Sequence, residues 1–335
     1  MGVTQAGARR PGTRRLARSA GVAVVGAALA LTLAPAPAQA ILPGEPGILS
    51  RIRTPGYPTD VEIGPKGRFA YVSNDDSGRL DIIDLNTNAL AASIKVGTDQ
   101  GGVAIGRDGL KAYVSMNAAN QVAVVSVAGR RVVKRIDVGR RPVDLAVSPK
   151  GKELYVTAAG DDSVFVIDLA AERVVAEILV GLSPMDLVFS PDGKRAYVAN
   201  TESNSVSVVN TKTRKEVGRI KTGSFTDNVA ISPDGMRLYA TSDDDDAVFV
   251  IDTASLKVVT TITFRDGPED VAVSPDGKAL YVGTNGIGVV DTATNALLYT
   301  ISVQDRSMYY LAVTPDGTRV LATADEGFTY VVSTS

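Results

Sequence analysis

The chain has 335 residues, with 35 Lys and Arg against 37 Asp and Glu, and it contains neither cysteine nor histidine. The lack of cysteine excludes disulfides and thiolate chemistry, and the lack of histidine excludes Ser-His-Asp and Cys-His catalytic machinery. Any chemistry must therefore use carboxylates, hydroxyl groups, lysine or a bound ion.

Residues 1–40 have the pattern of a secretory signal peptide. Five arginines without an acid precede an apolar run, and Ala38-Gln39-Ala40, an A-x-A cleavage sequence, follows the run. A membrane anchor is the alternative, but the run of about 15 residues is shorter than the ~20 that span a bilayer. We expect cleavage after Ala40 and export by the Sec route, or by the Tat route because of the twin arginine at 14–15. The mature chain would be secreted, without a transmembrane segment, and acidic, with 30 Lys and Arg against 37 acids.

A turn phrase of the type Pro-Asp-Gly recurs along the rest of the chain. Its first residues are spaced by 42 residues five times and then by 40, and they are Pro65, Arg107, Pro149, Pro191, Pro233, Pro275 and Pro315. A tyrosine stands six residues after each of the first six. Between the turns lie short segments rich in Val, Ile and Tyr, which predict β-strands. Proline followed by Asp-Gly suits a tight turn.

Four short strands in about 42 residues, repeated seven times, predict an all-β fold, a seven-bladed β-propeller of four-stranded antiparallel blades. A solenoid is the alternative. The last copy ends at its third strand, and residues 48–56 align with the fourth strand at 132–140. We therefore expect the N-terminal strand to complete the last blade and close the ring, so that residues 41–335 form a single domain.

Three segments that follow the turns carry a family resemblance. They read YVSN (71–74), YVTA (155–158) and YVAN (197–200), each between an SPDGK-like turn and a VxVID-like strand. The chain from 48 to 335 resembles the YVTN-repeat β-propellers, whose relatives include exported bacterial proteins and surface-layer proteins. Lactonase-like and amine-dehydrogenase-like propellers are more distant. Functions in this group vary, so the resemblance implies an architecture and little about chemistry.

A column of polar residues stands five positions before the turns, where the innermost strand of each blade is expected to enter the central channel. We predict the first residue of that strand, at the channel mouth, to be Asp60, Gly102, Asp144, Asp186, Asn228, Asp270 and Tyr310. The structural interpretation is that each aspartate accepts hydrogen bonds from the neighbouring blade and locks blade to blade. The functional interpretation is a ring of carboxylates that binds a cation such as Ca²⁺ or a cationic group, or shares a proton.

The repeat is irregular in copies six and seven. Copy six has three residues fewer between Tyr281 and Asp291 than copy four has over the same stretch, and the following connection is one residue longer. Tyr309 and Tyr310 stand there, and Gly102 is expected to open the mouth at copy two. A lowered rim with aromatic side chains is typical of a ligand pocket. Drift of the end blades is the alternative.

Charge is expected to segregate between the two faces of the propeller. The loops on the mouth side, such as NDDSG (74–78) and SDDDD (242–246), are acidic, whereas the turns on the opposite face carry lysine and arginine. The run at 243–246 lacks the spacing of a calcium-binding loop.

Three function classes remain open. The sequence favours an exported binding or scaffold protein that uses the acidic mouth for a small molecule, a protein or a cell-envelope partner. The candidate ligand-binding residues are Asp60, Asp144, Asp186, Asn228, Asp270, Tyr309 and Tyr310. The alternative is a cofactor-independent hydrolase, lyase or cyclase with a carboxylate as base and tyrosine as acid. The third is an envelope protein that binds nucleic acid or an anionic polymer through the basic face, although the acidic net charge argues against nucleic acid. We expect a monomer without a cofactor.

Overall fold

The computed structural model describes residues 46–303, 307–325 and 327–334. The predicted signal peptide lies outside the described residues, as does part of the lengthened connection after copy six, at 304–306. No helix occurs in the described part of the chain, so the described residues contain no helix that could cross a membrane.

The described residues contain 28 strands, which we number in chain order. They are β1 (Gly47–Arg53), β2 (Pro58–Ile63), β3 (Phe69–Asn74), β4 (Arg79–Asp84), β5 (Ala89–Lys95), β6 (Gln100–Ile105), β7 (Lys111–Met116), β8 (Gln121–Ser126), β9 (Arg131–Asp137), β10 (Pro142–Val147), β11 (Glu153–Ala158), β12 (Ser163–Asp168), β13 (Arg173–Leu179), β14 (Pro184–Phe189), β15 (Arg195–Asn200), β16 (Ser205–Asn210), β17 (Lys215–Lys221), β18 (Thr226–Ile231), β19 (Arg237–Ser242), β20 (Ala247–Asp252), β21 (Lys257–Thr263), β22 (Asp270–Val273), β23 (Ala279–Thr284), β24 (Gly286–Asp291), β25 (Ala296–Ile301), β26 (Met308–Val313), β27 (Arg319–Ala324) and β28 (Phe328–Ser333).

The strands form seven antiparallel four-stranded sheets, which confirms the predicted seven-bladed propeller. Blades one to six each use four consecutive strands, from β2–β5 to β22–β25. The seventh sheet has the order β1-β28-β27-β26, so the N-terminal strand is its outer strand. Arg51 pairs with Tyr330 and Ile52 with Thr329 in that ladder. The predicted ring closure is therefore confirmed.

The hydrophobic core lies between neighbouring blades. Every residue of β15 except the first is buried, because the two middle strands of a blade are covered on both faces. Tyr155 of blade three packs edge-on against Phe189 of blade four, with ring centroids 4.8 Å apart. Outer strands instead alternate between exposed and half-buried positions, with one buried residue near the end, as in β17. Each blade is thus stabilised mainly by its two neighbours.

The Pro-Asp-Gly turns connect the first and second strands of each blade, on the face opposite the mouth. In blade four, Asp192 Oδ1 accepts hydrogen bonds from the Ser190 hydroxyl at 2.8 Å and the Lys194 N–H at 2.9 Å. Gly193 has φ of 68°, which glycine adopts without strain. A Cβ at this position would lie 3.4 Å from Pro149 of the preceding blade. The repeated phrase therefore fixes both the turn and its contact with the blade before it.

The innermost strands contact one another in sequence from β2 to β26, and β26 contacts β2, which encloses a central channel. These strands begin earlier than predicted in most blades. β2 begins at Pro58, so Asp60 is its third residue and not its first; Asp270 is the first residue of β22, as predicted. The difference arises because the proline already pairs with the second strand, as Pro58 does with Asn74, before the ladder shifts register.

Candidate functional site

The aspartates of the innermost strands join neighbouring blades. Asp186 Oδ1 accepts the N–H of Leu187 at 2.6 Å, and its Oδ2 accepts the N–H of Val229, in the next blade, at 2.7 Å. Asp60 reaches Val103 at 2.8 Å, and Asp270 reaches Leu311 at 2.7 Å, in the same way. Each of these aspartates thus joins its own blade to the next one through a hydrogen bond, as the structural interpretation of the sequence predicts, and we call this contact the blade-to-blade lock.

Four of the seven positions depart from this lock, and they are Gly102, Asp144, Asn228 and Tyr310. Asp144 makes only a 3.4 Å contact to Leu187 N–H, because Asp186 holds the same N–H more closely. Asn228 donates a hydrogen bond to the next blade where the aspartates accept one, from its Nδ2 to the carbonyl oxygen of Glu269. A Cβ at Gly102 would lie 2.5 Å from Asp144 Oδ1. The expectation that Gly102 opens the mouth is therefore wrong, since the space is occupied by the Asp144 carboxylate.

The channel raises the pKa of these carboxyl groups. Loss of hydration raises the pKa of Asp60 to about 7, against the hydrogen bonds from Val103 and Val61, and the charge of Asp186 adds to the rise. Loss of hydration followed by the charges of Asp186 and Asp60 raises the pKa of Asp144 well above its usual value, and Asp144 and Asp186 share a hydrogen bond. The pKa of Asp270 is raised well above its usual value, mainly by loss of hydration. A carboxyl pair so placed disfavours ionisation of both groups at once.

The described residues contain no group of three or more acids placed to hold a metal ion. The Ca²⁺ site stays a prediction from the sequence, and the geometry of the aspartates is that of a hydrogen-bonded lock.

Glu62 was not predicted, and it is the second acid of blade one in the channel. It stands two residues after Asp60, where the other six blades have Ala104, Ala146, Val188, Ala230, Ala272 and Ala312. Water reaches its side chain, yet the surrounding strands remove most of its hydration. This loss, with the charge of Asp60 and against that of Arg107, raises the pKa of Glu62 to about 8. Comparison of this column across the repeats would have identified it.

The two predicted tyrosines lie in different surroundings. Tyr310 packs against the buried cluster that includes Val61, at the junction of blades seven and one, where five of the other six blades have Asp or Asn. Its backbone N–H donates to Thr323 Oγ1 at 3.1 Å. Tyr309 faces Tyr57, with ring centroids 5.6 Å apart and an angle of 43° between the planes. Tyr57 was not predicted, and it lies in the connection that enters blade one.

Acids surround the three tyrosines. Loss of hydration raises the pKa of Tyr57 and Tyr310, and the charge of Glu269 adds to both rises. Loss of hydration, followed by the charges of Asp243 and Asp227, raises the pKa of Glu269 to about 7. Burial likewise raises the pKa of Asp227 to about 6. We call Tyr57, Tyr309, Tyr310, Glu269 and Asp270 the mouth cluster.

The rim beside the mouth cluster is low, as predicted. A single residue, Asn285, separates β23 from β24, whereas four residues separate β15 from β16. The Ser307 hydroxyl donates to Asn285 Oδ1 at 3.2 Å. The mouth cluster therefore lies next to the shortest of the mouth-side loops in the described residues.

The opposite face offers a shallower feature. A groove of about 430 Å³ lies between the turns of blades four and five, lined by Lys194, Arg195, Asp192 and Asp234 among others. Arg195 Nη1 donates to the carbonyl oxygen of Thr253 at 2.9 Å. Acids alternate with the basic side chains in this groove, so it does not form a continuous basic surface.

Comparisons with known proteins agree with this architecture. A solved structure of hydrazine synthase from Kuenenia stuttgartiensis is similar, with a TM-score of 0.77 and 22% sequence identity over 84% of this chain and 96% of that one. At that identity the similarity shows the fold alone. No match was found among the curated proteins. Residues 121–292, just over half of the chain, match the family model described as "Lactonase, 7-bladed beta-propeller". The narrower resemblance to YVTN repeats stays a prediction, and the chain belongs to the seven-bladed β-propeller lactonase family.

Proposed function

We propose that the protein binds a ligand with a positively charged group, such as a protonated amine, at the mouth cluster. The observation that carries the proposal is the meeting of three tyrosines with Glu269 and Asp270 beside a low rim. The charges that raise the pKa values of these residues all come from carboxylates and phenols. A binding role matches the interpretation favoured by the sequence.

The chemistry of the mouth cluster suits an ammonium group. Tyrosine rings attract a cation over their faces, by about 0.5–2 kcal/mol according to how far the site is desolvated. Carboxylates accept the N–H groups and balance the charge. A bound ammonium would also lower the raised pKa of Glu269, because an opposite charge favours the ionised form. Ligand binding should therefore release protons near pH 7.

The test is titration of the mature protein with butylammonium, and with butanol as an uncharged probe of the same shape. We expect saturable binding of butylammonium and about tenfold weaker binding of butanol, a difference of about 1.4 kcal/mol. Glu269→Gln and Tyr309→Phe should each weaken butylammonium binding. Glu202→Gln is the matched control, since Glu202 is an exposed acid in the mouth-side loop of blade four. Equal affinity for butylammonium and butanol would contradict the proposal. So would a loss of butylammonium affinity in Glu202→Gln as large as that in Glu269→Gln.

A second candidate is hydrolysis of a lactone, which the family membership favours. Glu269, with a pKa of about 7, is partly ionised at neutral pH. Its charge contributes to the raised pKa of Tyr57 and of Tyr309. A group in this state suits general-base activation of water. The test is hydrolysis of simple γ- and δ-lactones, with turnover expected to be lost in Glu269→Gln and retained in Glu202→Gln. Absence of turnover in the unmodified protein would exclude this candidate for those substrates.

Export, a monomeric state and a cell-envelope partner stay predictions from the sequence. They are compatible with either candidate. Mass analysis of the protein from culture medium would test cleavage after Ala40.

A further inference from the structure

The connections that enter blades three, four and five are each held by two side chains. In the connection into blade three, Asp161 Oδ2 accepts the N–H of Arg140 at 2.5 Å, and Asn120 Oδ1 accepts the N–H of Arg141 at 3.0 Å. One side chain comes from the blade ahead and the other from the blade behind. The equivalent pairs are Leu182 with Ser203 and Ser183 with Asp162, then Ser224 with Asp245 and Phe225 with Asn204.

The connection that enters blade one, residues 54–57, lacks both of these side-chain contacts. The repeat aligns Gly56 and Tyr57 with Arg140 and Arg141. Ser77 takes the place of Asp161, and its buried hydroxyl has no hydrogen-bond partner in the described residues. Gly327, just before β28, takes the place of Asn120 and has no side chain. Neither of these two equivalent positions therefore supplies a side chain that holds the backbone at Gly56 and Tyr57.

A third contact is lost one residue earlier. In blade four, Asn200 Oδ1 accepts the N–H of Gly181 at 3.1 Å. The equivalent pair in blade one is Asn74 and Pro55, and proline has no N–H to donate. Asn74 Oδ1 is accordingly buried without a partner in the part of the chain that the structure describes.

The backbone of this connection also takes a different path. Arg141, Ser183 and Phe225 have φ between 52° and 54°, whereas Tyr57 is not in this left-handed region. Gly56 takes φ of 125° instead, which favours glycine. Both ends stay attached through backbone hydrogen bonds, from Thr54 N–H to Gly327 and from Asp75 N–H to the Tyr57 carbonyl, each of 2.9 Å. Because proline fixes φ at residue 55, the rotation that the lost contacts leave is about ψ of Pro55 and about φ and ψ of Gly56.

We propose that residues 54–57 form a strap that moves the Tyr57 ring over the mouth cluster and closes it on a bound ligand. The inference rests on the proposed binding function and concerns the regulation of that site. Tyr57 meets Tyr309 at 5.6 Å in this structure, so a small movement of the strap alters access to the acids behind the rings. The strap supplies one of the two aromatic faces, and β26 supplies the other.

A single tryptophan reports on the strap, because the chain contains no tryptophan. Tyr57→Trp places the reporter on the strap, where Tyr57 is half-buried, and Phe225→Trp places it at the equivalent position of a held connection, where Phe225 is exposed. Without any ligand, we expect time-resolved anisotropy to show larger local rotation in Tyr57→Trp than in Phe225→Trp. Equal rotation would overturn the strap whether or not a ligand binds.

Titration with butylammonium then separates the two proposals. We expect the emission of Tyr57→Trp to shift in a saturable manner and that of Phe225→Trp to stay constant. Calorimetric binding of butylammonium with no emission change in Tyr57→Trp would overturn the strap and leave the binding function standing. Larger local rotation in Tyr57→Trp without butylammonium binding in the unmodified protein would support a movable strap while removing its proposed role in binding.

A restored contact gives an independent measurement. Ser77→Asp offers Gly56 N–H the acceptor that Asp161 offers Arg140, which should hold the strap in place. Because ligand must pass the strap in both directions, we expect association and dissociation of butylammonium to slow by a similar factor of about ten. Unchanged rates, with amide exchange at Gly56 slowed by the substitution, would overturn the gating role.

Discussion

Blades three to five differ from the arc formed by blades six, seven and one. In the first region, side chains from the blades on both sides hold each entering connection. In the second, Tyr310 replaces a hydrogen-bonding side chain by apolar packing, and the connection into blade one lacks its side-chain contacts. The same repeat thus builds a firmly held half and a half in which tyrosines and acids meet.

The difference indicates how a repeat protein makes room for a site. A ring of identical blades would have seven equivalent junctions and no preferred place for a ligand. Replacement of Asp by Tyr310, shortening of the loop at Asn285 and loss of the contacts around Gly56 all fall in neighbouring blades. Local irregularities cost stability unless the rest of the fold compensates.

The largest effect is expected from opening the ring at the irregular arc. Removal of residues 41–56 deletes β1, which completes the last blade and buries Ile52 between blades seven and one. We expect a melting temperature at least about 10 °C lower than that of the mature chain, measured by calorimetry. Deletion of residues 41–45 alone is the control and should have little effect. A 41–56 deletion that melts with the mature chain would show that closure contributes nothing to stability.

A smaller loss of stability is expected from substitutions at single junctions, and it should differ between the apolar junction at Tyr310 and the hydrogen-bonded junction at Asp186. Tyr310→Ala removes the ring that packs on Val61, and we expect a loss of about 2–3 kcal/mol in the free energy of unfolding. Asp186→Asn should cost about 1–2 kcal/mol, because the single amide oxygen accepts only one of the two N–H groups, of Leu187 and Val229, that the carboxylate accepts. Urea titrations of both variants measure the difference. Tyr310→Phe, which keeps the packing, should stay close to the unmodified protein, and a loss as large as that of Tyr310→Ala would assign the effect to the hydroxyl.

The sequence was sufficient for the architecture, because the period, the turns and the pairing of the two ends depend on local patterns. The seven sheets and the position of β1 were predicted from them and are confirmed. Strand starts were less accurate, since proline at Pro58 pairs with β3 although it cannot donate a hydrogen bond.

The mouth cluster was predicted only in part, for two physical reasons. Tyr57 belongs to a connection outside the strand columns, and its contact with Tyr309 joins residues from the two ends of the chain. The role of Gly102 depended on which side chain would occupy the freed space, and the Asp144 carboxylate occupies it. Glu62 was within reach of the repeat comparison, because acids are absent from that column in the other blades.

The smallest expected effect concerns the pH dependence contributed by Glu62. Its pKa is raised from 4.5 to about 8 in the folded protein, so the folded state holds a proton that the unfolded chain releases between these values. Stability must therefore fall as pH rises from about 4.5 to 8, since the folded state binds more protons over that window. Glu62→Gln removes this contribution, and we expect its melting temperature to exceed that of the unmodified protein by about 2 °C at pH 8 and to approach it at pH 4.5. Glu202→Gln, which changes the same charge in a held part of the rim, should leave the slope unchanged. A Glu62→Gln variant with the unmodified pH slope would place the titrating group among Asp60, Asp144 and Asp270, and the pH dependence would then belong to the blade-to-blade lock shared by both halves of the ring.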